Sequence, residues 1–127
     1  MNKKCSIFCD IDGTLIKYRE FSTYKSSKAE PINSSVKEIN RAFNKGHNII
    51  LTTARPEYLR FHTLLELNKL NIQYHVLLMS IGRGPRILIN DNNPSKNYDR
   101  AYAINIERDN GFSSDNINKY NKILGLK

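Results

Sequence analysis

Phe8-Cys9-Asp10-Ile11-Asp12-Gly13-Thr14-Leu15 is the stretch from which the rest of the chain is read. The run before it, Cys5-Ser6-Ile7-Phe8-Cys9, has the length of a buried strand and stops at an acidic residue. Asp10 and Asp12 stand two positions apart at its end. In extended backbone, positions i and i+2 share a face, so both carboxylates can enter one pocket. Gly13 lets the backbone turn away sharply. A phosphoryl-transfer site needs such a pair, one carboxylate to attack phosphorus and one to handle the leaving-group proton. It also needs a metal cation, because a carboxylate approaching a phosphate dianion is repelled until charge is offset.

Outward from this stretch, strand-like and helix-like segments alternate. Residues 31–45 predict a helix capped by Asn33 or Ser34, with Val36, Ile39, Ala42 and Phe43 on one face and Gly46 at its end. Residues 47–53 predict a buried strand. A second helix opens near Pro56 and turns Leu59, Leu64, Leu67 and Leu70 inward. Residues 74–79 and 86–89 predict two further strands around the turn Gly82-Arg83-Gly84-Pro85, and residues 101–106 a fifth. Ser113 or Ser114 caps a last helix carrying Ile117, Tyr120, Ile123 and Leu124. This alternation implies βα units, hence an α/β fold with a mainly parallel sheet covered on both faces. Ligands of such sheets bind at the carboxyl ends of the strands. Asp10, Thr53 and Asp91 follow the first, second and fourth expected strands.

With 127 residues the chain is expected to form one domain, 1–127. Residues 16–30 are polar, with Tyr18, Phe21 and Tyr24 set among Lys17, Arg19, Lys25 and Lys28, and read as a hairpin or flap. Such aromatics could stack a base or sugar, or pack half-buried. No apolar run is long enough to cross a bilayer, and the basic start does not continue into a signal peptide, so the cytoplasm is the default compartment. The net charge of +8 favours anionic partners: phosphorylated metabolites, nucleic acid or an anionic surface. The basic residues are dispersed, however, and a Lys- and Asn-rich chain also follows from AT-rich coding. Cys5 and Cys9 on one strand lie roughly 13 Å apart, too far for a disulfide. His47, His62 and His75 are too scattered for a zinc pattern.

Asp10-Ile11-Asp12-Gly13-Thr14 resembles the first motif of the haloacid dehalogenase superfamily, whose phosphatases carry Asp-x-Asp-Gly-Thr after their first strand. Leu51-Thr52-Thr53-Ala54-Arg55 is similar to the second motif in its Thr-x-Arg form. Arg83 or Arg86 fits the basic third motif, where Lys is usual. Ile87-Leu88-Ile89-Asn90-Asp91 resembles the fourth, with Asn90 where relatives carry Asp or Gly. The likeness spans residues 5–106. It implies a Rossmann-like three-layer sandwich with a five-stranded central sheet and no cap domain, because neither interval between motifs holds a folded cap once its helices are counted.

The resemblance also implies the chemistry. Asp10 is the nucleophile and forms an aspartyl-phosphate, and Asp12 is the acid and base. Thr53, with Arg83 or Arg86, binds phosphate. Mg²⁺ is held by Asp10, by Asp12 through its carbonyl, and by Asp91. The expected activity is a Mg²⁺-dependent phosphomonoesterase acting on a phosphosugar or other phosphorylated metabolite. The alternatives are a nucleic-acid 3′-phosphatase and a non-catalytic binding or regulatory domain. The sequence leaves the oligomeric state open.

Overall fold

Three strands, Ser6–Asp10 (β1), Asn48–Thr52 (β2) and Val76–Leu78 (β3), run parallel in the order β1-β2-β3. The computed structural model describes residues 4–125; residues 1–3, which include most of the basic start, and residues 126–127 lie outside the described residues. Each parallel pair needs a crossover. Helix α1 (Asn33–Asn44) joins β1 to β2, helix α2 (Arg60–Lys69) joins β2 to β3, and helix α3 (Ser114–Leu124) follows. Among the described residues no helix is long and apolar enough to cross a membrane.

Helix α1 buries Ile39 and Ala42 and packs Val36 and Phe43 against the core, as its spacing predicts. The expected side-chain cap is not made. Ile32 is the capping residue, and Asn33 and Ser34 already belong to the helix. In α3 the expectation holds: Ser113 Oγ accepts the Asn116 N–H at 3.1 Å, and Asn116 Oδ1 accepts the Ser113 N–H at 3.1 Å. Helix α2 corrects the expected apolar face. Leu59 and Leu67 are buried, but Leu64 faces out, and Thr63 and Glu66 face in. The buried residues follow an ordinary α-helical stripe: Thr63, Glu66 and Leu67 come one and two turns after Leu59, whereas Leu64 lies about 140° around the helix from it.

In the strand register Cys9, Leu51 and Leu77 are neighbours, and so are Phe8, Ile50 and Val76. The first row is buried with Ile49 in the main core, which also contains residues of all three helices. The second row is open at both edges: Phe8 is 54% exposed and Val76 is exposed, with Ile50 half-buried between them, and Leu78 on the same face is exposed too. The sheet is therefore covered on one face, and the expected three-layer sandwich is not formed.

Nor is the five-stranded sheet. Residues 86–89 and 101–106 form no strand. Ile87 and Ile89 are 84% and 88% exposed. Between Pro85 and the polar run Asn90-Asp91-Asn92-Asn93-Pro94 only four residues have strand character. That is short for an element whose ordering must be offset by burial. In the later segment Ile104 packs against the core while the Ala103 carbonyl accepts from Lys119 Nζ at 2.7 Å rather than from a strand.

The chain then turns back on the acidic loop. The Asp109 N–H donates to the Gly13 carbonyl at 2.9 Å, and the Asp109 carboxylate accepts the Tyr18 N–H at 2.7 Å. Nearby Gly111 has φ +70°, and a Cβ there would collide with Ser34 Oγ and lie 2.9 Å from Ile32 Cγ2. Gly111→Ala is expected to destabilise the fold by about 1–3 kcal/mol. The check is a lower denaturant midpoint at unchanged m-value.

Candidate active site

The loop after β1 coils around one carbonyl. Ile11 O accepts the N–H groups of Thr14, Leu15 and Ile16 at 3.1, 2.8 and 3.1 Å, and the Gly13 N–H donates to Ile16 O at 2.7 Å. Gly13 closes this coil at φ +89°, a region L-residues seldom adopt. Asp10 and Asp12 thereby enter the same cleft. Strand β2 ends beside them, with Thr52 paired to Asp10 and Thr53 next in the chain. Residues 16–30 leave the sheet as a flap closed at its base, where the Lys17 N–H donates to Glu30 O at 2.8 Å and Ile16 bridges Pro31.

The cleft has a volume of about 300 Å³. Asp10, Asp12 and Thr53 come from the strand ends, Tyr18, Phe21 and Tyr24 from the flap, and Arg83, Arg86 and Arg108 from the later loops. Asp10 is half-exposed; its Oδ2 accepts from Thr14 Oγ1 at 3.3 Å, and Arg86 lies 3.9 Å from its Oδ1. Burial and then the neighbouring Asp12 push the Asp10 carboxyl above its ordinary value, partly opposed by Thr14 and Arg86. Thr53 is buried, and its hydroxyl oxygen accepts the Arg55 N–H at 3.1 Å.

Asp12 is held by a guanidinium fork. Arg55 Nε and NH2 donate to its two oxygens at 2.9 and 2.7 Å, and Tyr24 O–H donates to Oδ2 at 3.2 Å. Arg55 is only 2% exposed. Burial alone would depress its pKa, but Asp12 and Glu66 outweigh that and raise it. Its NH1 donates to Thr63 Oγ1 at 3.0 Å and to Glu66 Oε1 at 2.8 Å. The Tyr24 ring lies 4.4 Å from this guanidinium, and burial, followed by the Asp12 charge, pushes its phenol up to about 12.

Five of the six expected site residues meet in this cleft: Asp10, Asp12, Thr53, Arg83 and Arg86. Asp91 does not. It lies on the exposed loop, 79% accessible, with its Oδ1 3.1 Å from Arg100 NH1. The strand that was to carry it to the site is not formed. Among the described residues no group of three or more His, Cys, Asp or Glu side chains could hold a metal. Arg55 occupies the Asp12 carboxylate but not its carbonyl, and with Asp91 elsewhere Asp10 is the one open carboxylate in the cleft. As arranged, the expected Mg²⁺ donors are short of the Asp91 carboxylate.

The sequence reading missed Arg108, whose guanidinium lies 4.1 Å from the Tyr18 ring on the cleft wall, and Glu66 behind the cleft. Arg55, which the sequence marked only as part of the second motif, is buried at the cleft floor, where it holds Asp12 and Glu66. His47 and His75 take structural roles. Each accepts a backbone N–H at 3.0 Å through Nδ1, and burial lowers the His47 pKa.

A family model described as haloacid dehalogenase-like hydrolase matches residues 7–80. No curated protein matches the chain. Among solved structures, one titled "Structure of Pnkp1/Rnl/Hen1 complex" is similar, with a TM-score of 0.54 and 24% identity. The match covers 74% of this chain and 30% of that one, and shows the fold alone.

Proposed function

Since the chain belongs to the haloacid dehalogenase-like hydrolases, we propose that it is a phosphomonoester hydrolase working through an aspartyl-phosphate on Asp10. The observation that carries this reading is the charge arrangement of the cleft. Arg55 is matched by Asp12 and Glu66, which leaves Arg83, Arg86 and Arg108 facing one open carboxylate, Asp10. A phosphate dianion would be drawn to those arginines, which also ease its approach to the nucleophile. An Asp10 oxygen bonds to phosphorus as the ester P–O bond breaks. Asp12 gives a proton to the departing oxygen and later takes one from the water that cleaves the acyl phosphate. Thr53, with Arg83 or Arg86, binds the phosphoryl oxygens.

The test is hydrolysis of p-nitrophenyl phosphate with and without MgCl₂, followed by a screen of sugar phosphates, nucleotides and 3′-phosphorylated oligonucleotides. Turnover is expected. No turnover with any divalent cation sinks the hydrolase reading in favour of a binding or regulatory domain. Mg²⁺ dependence, which the family implies, is judged by the same titration. Tyr18, Phe21 and the three arginines on the cleft wall favour one second reading, a nucleic-acid 3′-phosphatase. It requires oligonucleotide affinity that falls steeply with salt, and a flat salt dependence would count against it.

A further inference from the structure

Glu66 does not line the cleft. It sits on α2 with its side chain 9% exposed, where a carboxylate is costly unless closely partnered. Its partners reach in two directions. Toward the site, Arg55 NH1 donates to it at 2.8 Å while the same guanidinium grips Asp12. Toward the flap, Arg19 donates to both its oxygens at 2.9 and 2.8 Å and also to the carbonyls of Tyr24 and Ser27 at 3.4 and 3.2 Å. His62 Nε2 completes this arm, 3.2 Å from Glu66 Oε2 and 2.9 Å from the Tyr24 carbonyl. One carboxylate thus ties α2 both to Asp12 and to the flap backbone that sets the Tyr24 hydroxyl on Asp12.

Building on the phosphatase reading, we propose that Glu66 is a positioning residue. It aims Arg55, and through it Asp12, for proton transfer, and with Arg19 it latches the flap over the cleft. A structural ion pair would raise stability and affect all substrates alike. A positioning role falls on the proton-transfer step, in which the Asp12 O–H proton passes to the ester oxygen as its bond to phosphorus breaks. That step matters for a poor alkoxide leaving group and little for p-nitrophenolate.

Glu66→Gln keeps the volume and loses the charge; Arg19→Ala cuts only the flap arm. Each is compared with the parent on p-nitrophenyl phosphate and on glycerol phosphate, and by hydrogen exchange without substrate at Ser26 and Ser27, whose N–H groups bond Thr23 O. Glu66→Gln is expected to lower kcat for glycerol phosphate on the order of 10- to 100-fold, and for p-nitrophenyl phosphate by less than about threefold. Flap exchange is expected to accelerate in both variants. Equal losses on the two esters overturn the positioning role, and unchanged flap exchange overturns the latch. Should Glu66→Gln not fold, Glu66→Asp takes its place on the two esters, and Arg19→Ala still judges the latch. If the parent hydrolyses neither ester, the phosphatase reading and the Asp12 half fall together, while the exchange comparison still decides the latch.

Discussion

Asp10→Asn is expected to lose hydrolysis of p-nitrophenyl phosphate by roughly 10³-fold or more, while melting at a higher temperature than the parent near neutral pH. Asparagine keeps the shape and the acceptor for Thr14 but cannot attack phosphorus as a carboxylate. The gain in stability follows from the charge. Burial and the nearby Asp12 raise the Asp10 pKa, so the fold holds the ionised form less favourably than the unfolded chain does. That cost is absent below the ordinary aspartate pKa and complete above the folded value. The melting advantage should therefore be present at neutral pH and shrink in acid. With the side chain about half accessible the gain is small. Loss of activity with loss of stability would instead mark Asp10 as a structural residue.

The acidic pair was legible because everything that makes it is local. Two carboxylates at i and i+2, a glycine and a strand end need only the chain's own geometry, and the same holds for the Ser113 capping box. What failed was non-local. Ile87, Leu88 and Ile89 have strand composition, but a strand also needs a neighbour to pair with and a face to cover, and its own residues supply neither. Asp91 fell with that strand, since its place in the site was inferred from the strand's end. Asn90 had been the visible departure in the fourth motif, whereas the structure alters the position of the whole segment.

Helix α2 misled in another way. A leucine every few positions fits several faces, and Leu64 was assigned inward because leucine is apolar. Helical turns counted from Leu59 put Thr63, Glu66 and Leu67 on the buried stripe and leave Leu64 outside it. The burial of Thr63 and Glu66 is intelligible only once Arg55 and Arg19 arrive from the β2 end and from the flap. A charged residue in a polar stretch carries no sign that its partner lies elsewhere in the chain.

Arg55→Ala has the largest expected effect on stability, about 3–5 kcal/mol. The guanidinium is buried, and four of its hydrogen bonds go to Asp12, Thr63 and Glu66. Truncation leaves Asp12 with Tyr24 and Glu66 with Arg19 and His62, so the penalty is that of carboxylates short of a cation in a poorly hydrated site. Arg55→Lys restores the charge without the planar fork and should recover only part of the loss. The pH dependence separates charge from packing. Burial pushes the Glu66 pKa up, but Arg19 and Arg55 outweigh it and hold it below the ordinary glutamate value. The stability this contributes is complete above the unfolded pKa and is lost as pH falls through the folded one. Urea unfolding of parent and Arg55→Ala should thus differ most near neutral pH and converge in acid. A gap of the same size at both would assign the loss to the arginine's packing, and the ion-pair account would fail.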